Sequence, residues 1–506
     1  MRILNKLGGT SALALMLAAQ TASADVTAKE VWENWRDYMV SMGYEVAAST
    51  DMSGDVLTVS GIDMSMDFEP DDGTVSMNMD SITFSENGDG TVSIQVPEVM
   101  PIKISFATEN EPNVNLQIDY RHDDLVITAS GVPDDMSYDM TADQLSMKLE
   151  SLDVEGEDVS ADDVNFMLTM ANVAGVSTMK TAESRTIGQD FTADSLTYDI
   201  DFTDPVEGGR GMFKGAVSGI KFTGTGDLPL EVDTSDVTAM LAAGFSIDGG
   251  FEYQSGSGEF KAEGPDGNVE GSSSSEGGTA KVRMNQSELI YDVAAQNSVV
   301  NISGDEIPFG IGFNMDEALF KLAMPISKSD EEQDFGFALT LGNFAMDETL
   351  WNLFDPSAAL PRDPATISLD LEGKAKVLVD FLDPEQAALL DQSGAVPGEL
   401  NALTLKNLLV SAAGATLTGM GDFVFDNTQD FNGMPKPTGA VDLKLVGGNG
   451  LIDKLVMMGM LPDEQAMGAR MMMGLFAVPG DAPDTLNSKI EINDEGHVLA
   501  NGQRIQ

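Results

Sequence analysis

The chain has 506 residues, a formal net charge of −56, no cysteine and two histidines. That charge repels nucleic acid and anionic lipid headgroups. The missing cysteines exclude disulfides, thiolate nucleophiles, zinc–thiolate sites and a lipidated N-terminal cysteine. At 42% hydrophobic residues the chain has enough apolar surface to bury a core, which sets global disorder aside.

Residues 1–24 read as a signal peptide. Arg2 and Lys6 form the positive region, Leu7 to Ala19 carries no charge, and Ala22-Ser23-Ala24 offers small residues for cleavage after Ala24. The apolar run is too short to anchor in a bilayer and no second candidate follows. The expectation is an exported, periplasmic protein that does not span the membrane after cleavage.

Thr27 and Glu30 fit a capping box, and Val31, Trp35, Tyr38, Met39 and Met42 share one stripe of a helix that stops at Gly43. Such a stripe predicts a helix docked on a sheet. The periodicity then becomes two. Val75, Met77 and Met79 alternate with polar residues, Asn87-Gly88-Asp89-Gly90 marks a hairpin turn, and Thr91 to Val96 alternates again. Asn113–Tyr120 and Leu125–Ala129 read as a second hairpin turning near His122-Asp123-Asp124. Pro97, Pro101 and Pro112 point to edge or loop segments.

One phrase recurs: Thr141-Ala142-Asp143, Ser160-Ala161-Asp162 and Thr192-Ala193-Asp194, each followed by alternating apolar residues. It reads as a small polar turn that launches a strand. The serine-rich tract Gly271 to Gly278 reads as a loop tip. The texture becomes mixed near residue 310, which divides the chain into a helix-plus-meander unit over 25–310 and a β-rich unit over 311–506. In the second unit Asp347 caps a short helix with Leu350, Trp351 and Phe354, and Asp383-Pro384 opens another before Ala387. Asn449 caps the first arm of a helical hairpin over 449–476, broken at Leu461-Pro462-Asp463. Its apolar face carries Leu451, Leu455, Met467, Met471 and Leu475, the candidate lining for an apolar ligand. The fold class is mainly β, with large antiparallel sheets in a meander.

No nucleophile elbow, phosphate loop, dinucleotide fingerprint or zinc-helix motif occurs, so the chain reads as a non-enzyme without cofactor or metal site. His122 and His497 sit beside turn residues, and the acids at Glu69 to Gly73 and Glu86 to Gly90 do not match a calcium loop. The pairs Met64/Met66 and Met77/Met79 have the spacing of strand positions that share a face. That favours core packing over thioether metal ligation, with a pliable lining for acyl chains as the functional variant. Aromatics at 7% are thin for the girdles of an outer-membrane barrel.

The segments Val31-Trp32-Glu33-Asn34-Trp35, Met42-Gly43-Tyr44-Glu45-Val46 and Leu57-Thr58-Val59-Ser60-Gly61-Ile62 resemble an exported alphaproteobacterial family, the domain of unknown function DUF 2125. So do the hairpin from Leu451 and the tail Ala500-Asn501-Gly502-Gln503-Arg504-Ile505. More distantly, a helix followed by long amphipathic strands is similar to AsmA-like envelope proteins. That resemblance implies a curved sheet with an apolar groove and a role in lipid handling. The expected partners are lipid or another envelope protein. The expected function is a non-enzymatic envelope protein binding an apolar ligand, or a ligand-free structural module.

Overall fold

A computed structural model describes residues 25–506, except 69–72, 109–110, 156–162, 204–208, 231–236, 266, 384–385, 387–389, 391–395 and 432. The signal segment with Ala24, the Ser160-Ala161-Asp162 phrase and most of Glu69–Gly73 lie outside the described residues, as do Pro384 and Ala387.

Helix α1 (Ala28–Ser41) starts where the capping box predicts, with Thr27 and Glu30 each satisfying the other's backbone donor. A meander follows. Strands β1 (Glu45–Ser53), β2 (Val56–Phe68) and β3 (Gly73–Glu86) pair in sequence. Next, β4 (Val92–Gln95) and β5 (Val99–Thr108) lie in line, both against β3. β6 (Glu111–Asp123) and β7 (Val126–Val132) lie in line in turn, both against β8 (Asp135–Val154). β9 (Val164–Thr181), β10 (Ser184–Thr203) and β11 (Arg210–Pro229) continue. After the short α2 (Val237–Ala242) the in-line arrangement recurs. β12 (Ser246–Tyr253) and β13 (Ser255–Gly264) share β11, while β14 (Gly267–Ser275) and β15 (Gly278–Met284) share β16 (Glu288–Gly304).

The second half runs β17 (Ile307–Pro325), β18 (Gln333–Met346), α3 (Glu348–Phe354), β19 (Ala365–Val377), β20 (Gly398–Ala412), β21 (Ala415–Phe431) and β22 (Met434–Val446). The helical hairpin α4 (Gly448–Met457) and α5 (Asp463–Phe476) precedes β23 (Val478–Pro479), β24 (Thr485–Ile492), β25 (Val498–Ala500) and β26 (Gln503–Arg504). All of these strands belong to one antiparallel sheet. Residue 310 falls inside β17, which pairs with both β16 and β18. Among the described residues β1 pairs with β2 alone and β26 with β25 alone, so the sheet is open.

Several sequence expectations change. His122-Asp123-Asp124 does not turn a hairpin: Asp124 takes a left-handed φ of 50°, which jogs the chain while β6 and β7 run on against the same neighbour. Pro101 and Pro112 lie within strands. Pro97 and Pro101 flank the place where β3, between Met77 and Thr83, has no partner on that side, so the missing donors cost no ladder bond. The serine tract up to Ser275 is strand β14, because pairing on both sides overrides weak strand propensity. Finally, Asn449 lies inside the first turn of α4. The cap comes from Asp484, whose carboxylate accepts from the Asn449 and Gly450 amides at 3.1 and 2.9 Å.

Candidate functional site

Residues directly opposite each other in neighbouring strands point to the same face. Starting under α1, the pairing runs Leu57, Phe84, Ile94, Ile127, Met140, each opposite the next. It continues through Gly175, Phe191, Phe222, Phe251 and Ala280. From there it crosses Val293, Phe320, Leu339, Leu369, Leu408, Gly419 and Leu443. No polar side chain interrupts this row from β2 to β22, a path of roughly 75 Å at about 4.8 Å per strand. One residue away lies the opposite face, with Asp190, Thr223, Lys281, Asp292 and Lys321 in a comparable row, and Lys321 pairs with Asp292 at 2.8 Å. The strands are therefore greasy on one side and wet on the other across nearly the whole sheet.

Aromatic rings keep the apolar side level. Phe191, Phe202, Phe260 and Phe335 each lie over a glycine of the adjacent strand, respectively Gly175, Gly211, Gly271 and Gly373. A methyl group at any of those glycines would overlap the ring. Glycine exposes its neighbour's ring face where a larger residue would stand against it.

A line of irregularities crosses the strands at one level. Asn172, Asn297 and Asn343 adopt left-handed φ of 50, 46 and 52°, and Gly219 adopts 61°. Each asparagine donates its side-chain amide to an acid: Asn172 to Asp194 on β10, Asn297 to Glu276 in the link between β14 and β15, and Asn343 to Asp316 on β17, at 2.8, 2.7 and 2.9 Å. The register runs unshifted past Asn172, Gly219 and Asn297, so these are left-handed kinks aligned on facing strands, and each resets which residues face inward. This is what the Thr-Ala-Asp phrase encodes. Thr141-Ala142-Asp143 and Thr192-Ala193-Asp194 are mid-strand, not turns, and the buried Ala142 and Ala193 share a face with Leu145 and Leu196 three positions on.

The N-terminal end of the apolar side is covered by α1. Trp32 and Trp35 hold the fully buried Phe84 between them, at ring distances of 6.1 and 5.7 Å. The Tyr138 hydroxyl donates to Asn34 at 2.7 Å, and burial pushes its phenol pKa up. Ala28 donates its amide to Glu86 at 3.0 Å. At the other end of the helix the buried Arg185 donates to Ser41 Oγ and to the Asp37 carbonyl, with its guanidinium 5.7 Å from the Tyr38 ring centre. A cation there suits the negative pole of the helix. Burial lowers the pKa of Arg185, while the Asp37 carboxylate opposes that.

Between α1 and the sheet is a cavity of about 350 Å³, within the range of small-ligand sites. Its wall includes Trp35 and Met39 from the helix and Met64, Met77, Met100 and Met140 from the sheet, beside the gap in β3 pairing. A second hollow, of about 420 Å³, continues on the same side past Tyr38 over Phe222 and Phe251.

The candidates from the hairpin do not line these spaces. Leu451 and Leu455 are half-buried on α4, while Met467, Met471 and Leu475 stand 71, 70 and 58% exposed on α5. Met64, Met77 and Met79 all belong to the core under α1, and Met64 stands opposite Met77, a cross-strand pairing that the spacing along each strand did not give. Sequence reasoning missed Trp32, Phe84, Met140 and Arg185. Trp32 precedes Trp35 by three residues, a helical spacing that was readable; nothing local marks Arg185. Among the described residues no three His, Asp or Glu side chains stand close enough to hold a metal ion. No described helix is long and apolar enough to cross a membrane. His122 Nε2 lies 3.0 Å from the Pro97 carbonyl.

Neither a family model, nor a curated protein, nor a solved structure matches this chain.

Proposed function

We propose that the protein is a non-enzymatic periplasmic envelope protein that binds acyl-chain lipid along the apolar side of its sheet. The observation that carries this reading is the uninterrupted apolar row from Leu57 to Leu443. Beyond α1 much of it is only half covered: Val293 and Phe320, opposite each other, remain 44 and 39% exposed. Soluble monomers rarely leave contiguous apolar patches beyond a few hundred Å², and those that do use them for ligands or partners. Methionine and flat aromatic rings suit a flexible chain, because they offer contact without a fixed shape. This is also the role that the resemblance to AsmA-like envelope proteins implies.

Native purification followed by lipid extraction and mass spectrometry tests it. The expected result is co-purified acyl lipid that Phe320→Glu greatly reduces, since a carboxylate in the middle of the row is desolvated by any bound chain. A lipid-free protein that also fails to take up a fluorescent acyl lipid would end the proposal. The protein-interaction module is the second reading, and the exposed methionines of α5 favour it; crosslinking in the envelope would recover that partner whether or not lipid is bound.

A further inference from the structure

We infer that the chamber beneath α1 is a separate site for one long-chain fatty acid, with the acyl tail among the methionines and the carboxylate at Arg36. This rests on the acyl-lipid reading above and deepens it. The chamber wall is almost wholly apolar, and among the described residues the one charged side chain on it is Arg36, a cation on a chain of net charge −56. Arg36 shares the α1 stripe with Trp32, Trp35 and Met39 and lines the chamber, and its side chain is 42% exposed, so it stands where the chamber meets solvent. Asp37 Oδ1 accepts from Arg36 Nε and Nη2, at 3.1 and 2.8 Å, so that pair occupies one edge of the planar group and leaves Nη1 outside it. A carboxylate fits that remaining edge as an acceptor of charge-assisted hydrogen bonds. The chamber lies beside the gap in β3 pairing between Met77 and Thr83, where Met79 and Ile82 line it. A diacyl lipid has two tails to house, and a cavity of about 350 Å³ favours one.

The chain has three tryptophans, and two of them, Trp32 and Trp35, line the chamber. The Trp351→Phe variant of the full-length protein therefore reports on the chamber alone. The expected result is that brominated palmitate quenches its fluorescence saturably. Arg36→Gln should weaken palmitate binding by roughly tenfold or more, the size of one charge-assisted hydrogen bond, and leave hexadecanol binding unchanged. Arg36 is partly exposed, so this substitution spares the fold. If palmitate binds without quenching, or Arg36→Gln weakens acid and alcohol equally, the chamber assignment is overturned while acyl binding on the open side stands. If no acyl compound binds at all, both readings fall together.

Discussion

Asn172 donates its side-chain amide to Asp194 across β9 and β10 at 2.8 Å, from a backbone held at φ 50°. The bond and the left-handed backbone occur together because asparagine tolerates that region and supplies a polar group beside it. Asn172→Val should cost about 2 kcal/mol, combining left-handed strain with the lost bond, and Asn172→Gly less than about 1 kcal/mol because glycine keeps the geometry. Denaturant melts of the two variants check the order; equal losses would mean that the left-handed geometry is unimportant.

The ring of Phe84 is the keystone between the two tryptophans of α1. Phe84→Ala should destabilise the N-terminal end by about 3–5 kcal/mol through lost contact and a residual void. Tryptophan emission should shift to the red as Trp32 and Trp35 meet water. An unshifted spectrum would show that α1 is held by its polar ties alone.

Gly175 lies under Phe191. Gly175→Ala should cost about 1–3 kcal/mol, because the ring must lift or the strands part. The double variant Gly175→Ala, Phe191→Ala should recover part of that loss, a coupling that a thermodynamic cycle measures.

Acid should unfasten the N-terminus of α4. Burial by itself would raise the pKa of Asp484, but the Gly450 and Asn449 amides and the Asn449 side chain outweigh it and lower the pKa from its ordinary value. A depressed folded pKa stabilises above the unfolded carboxylate value, near about 4, and that contribution is lost as pH falls through the folded value. Asp355 follows the same sign: burial raises its pKa, and hydrogen bonds from Ala359, Leu360 and Ser357 more than compensate. Hydrogen exchange at Asn449 and Gly450 should accelerate below about pH 4 in the native chain. Asp484→Asn should remove that dependence.

Stability should also rise with salt. The net charge of −56 sets like charges against each other, and the screening length falls from about 30 Å at 0.01 M to about 3 Å at 1 M. A thermal midpoint that does not move over that range would contradict this account.

Most of the strand content was legible, because alternation such as Val75, Met77 and Met79 reports directly on which side is buried. The capping box at Thr27 fixed the start of α1 to the residue. What stayed hidden was non-local. Asp484 caps a helix that begins 36 positions earlier in the chain at Gly448, and no window around Asn449 contains it. The Thr-Ala-Asp phrase was visible, yet only pairing shows that Asp194 meets Asn172 and that the phrase bends a strand instead of starting one. The chamber is less legible still. Its methionines come from helix and sheet elements between residues 39 and 140, and each one alone looks like ordinary core.

The bonding order of the sheet has a consequence for how such a chain changes over time. Each long strand, or in-line pair, bonds almost entirely to those before and after it in sequence. A complete up-and-down unit can therefore be gained or lost without rewiring the rest, and the greasy track lengthens or shortens by two rungs each time. Reach becomes a quantity that genes of this plan can tune by duplication or excision, while the tryptophan-clasped beginning stays the same.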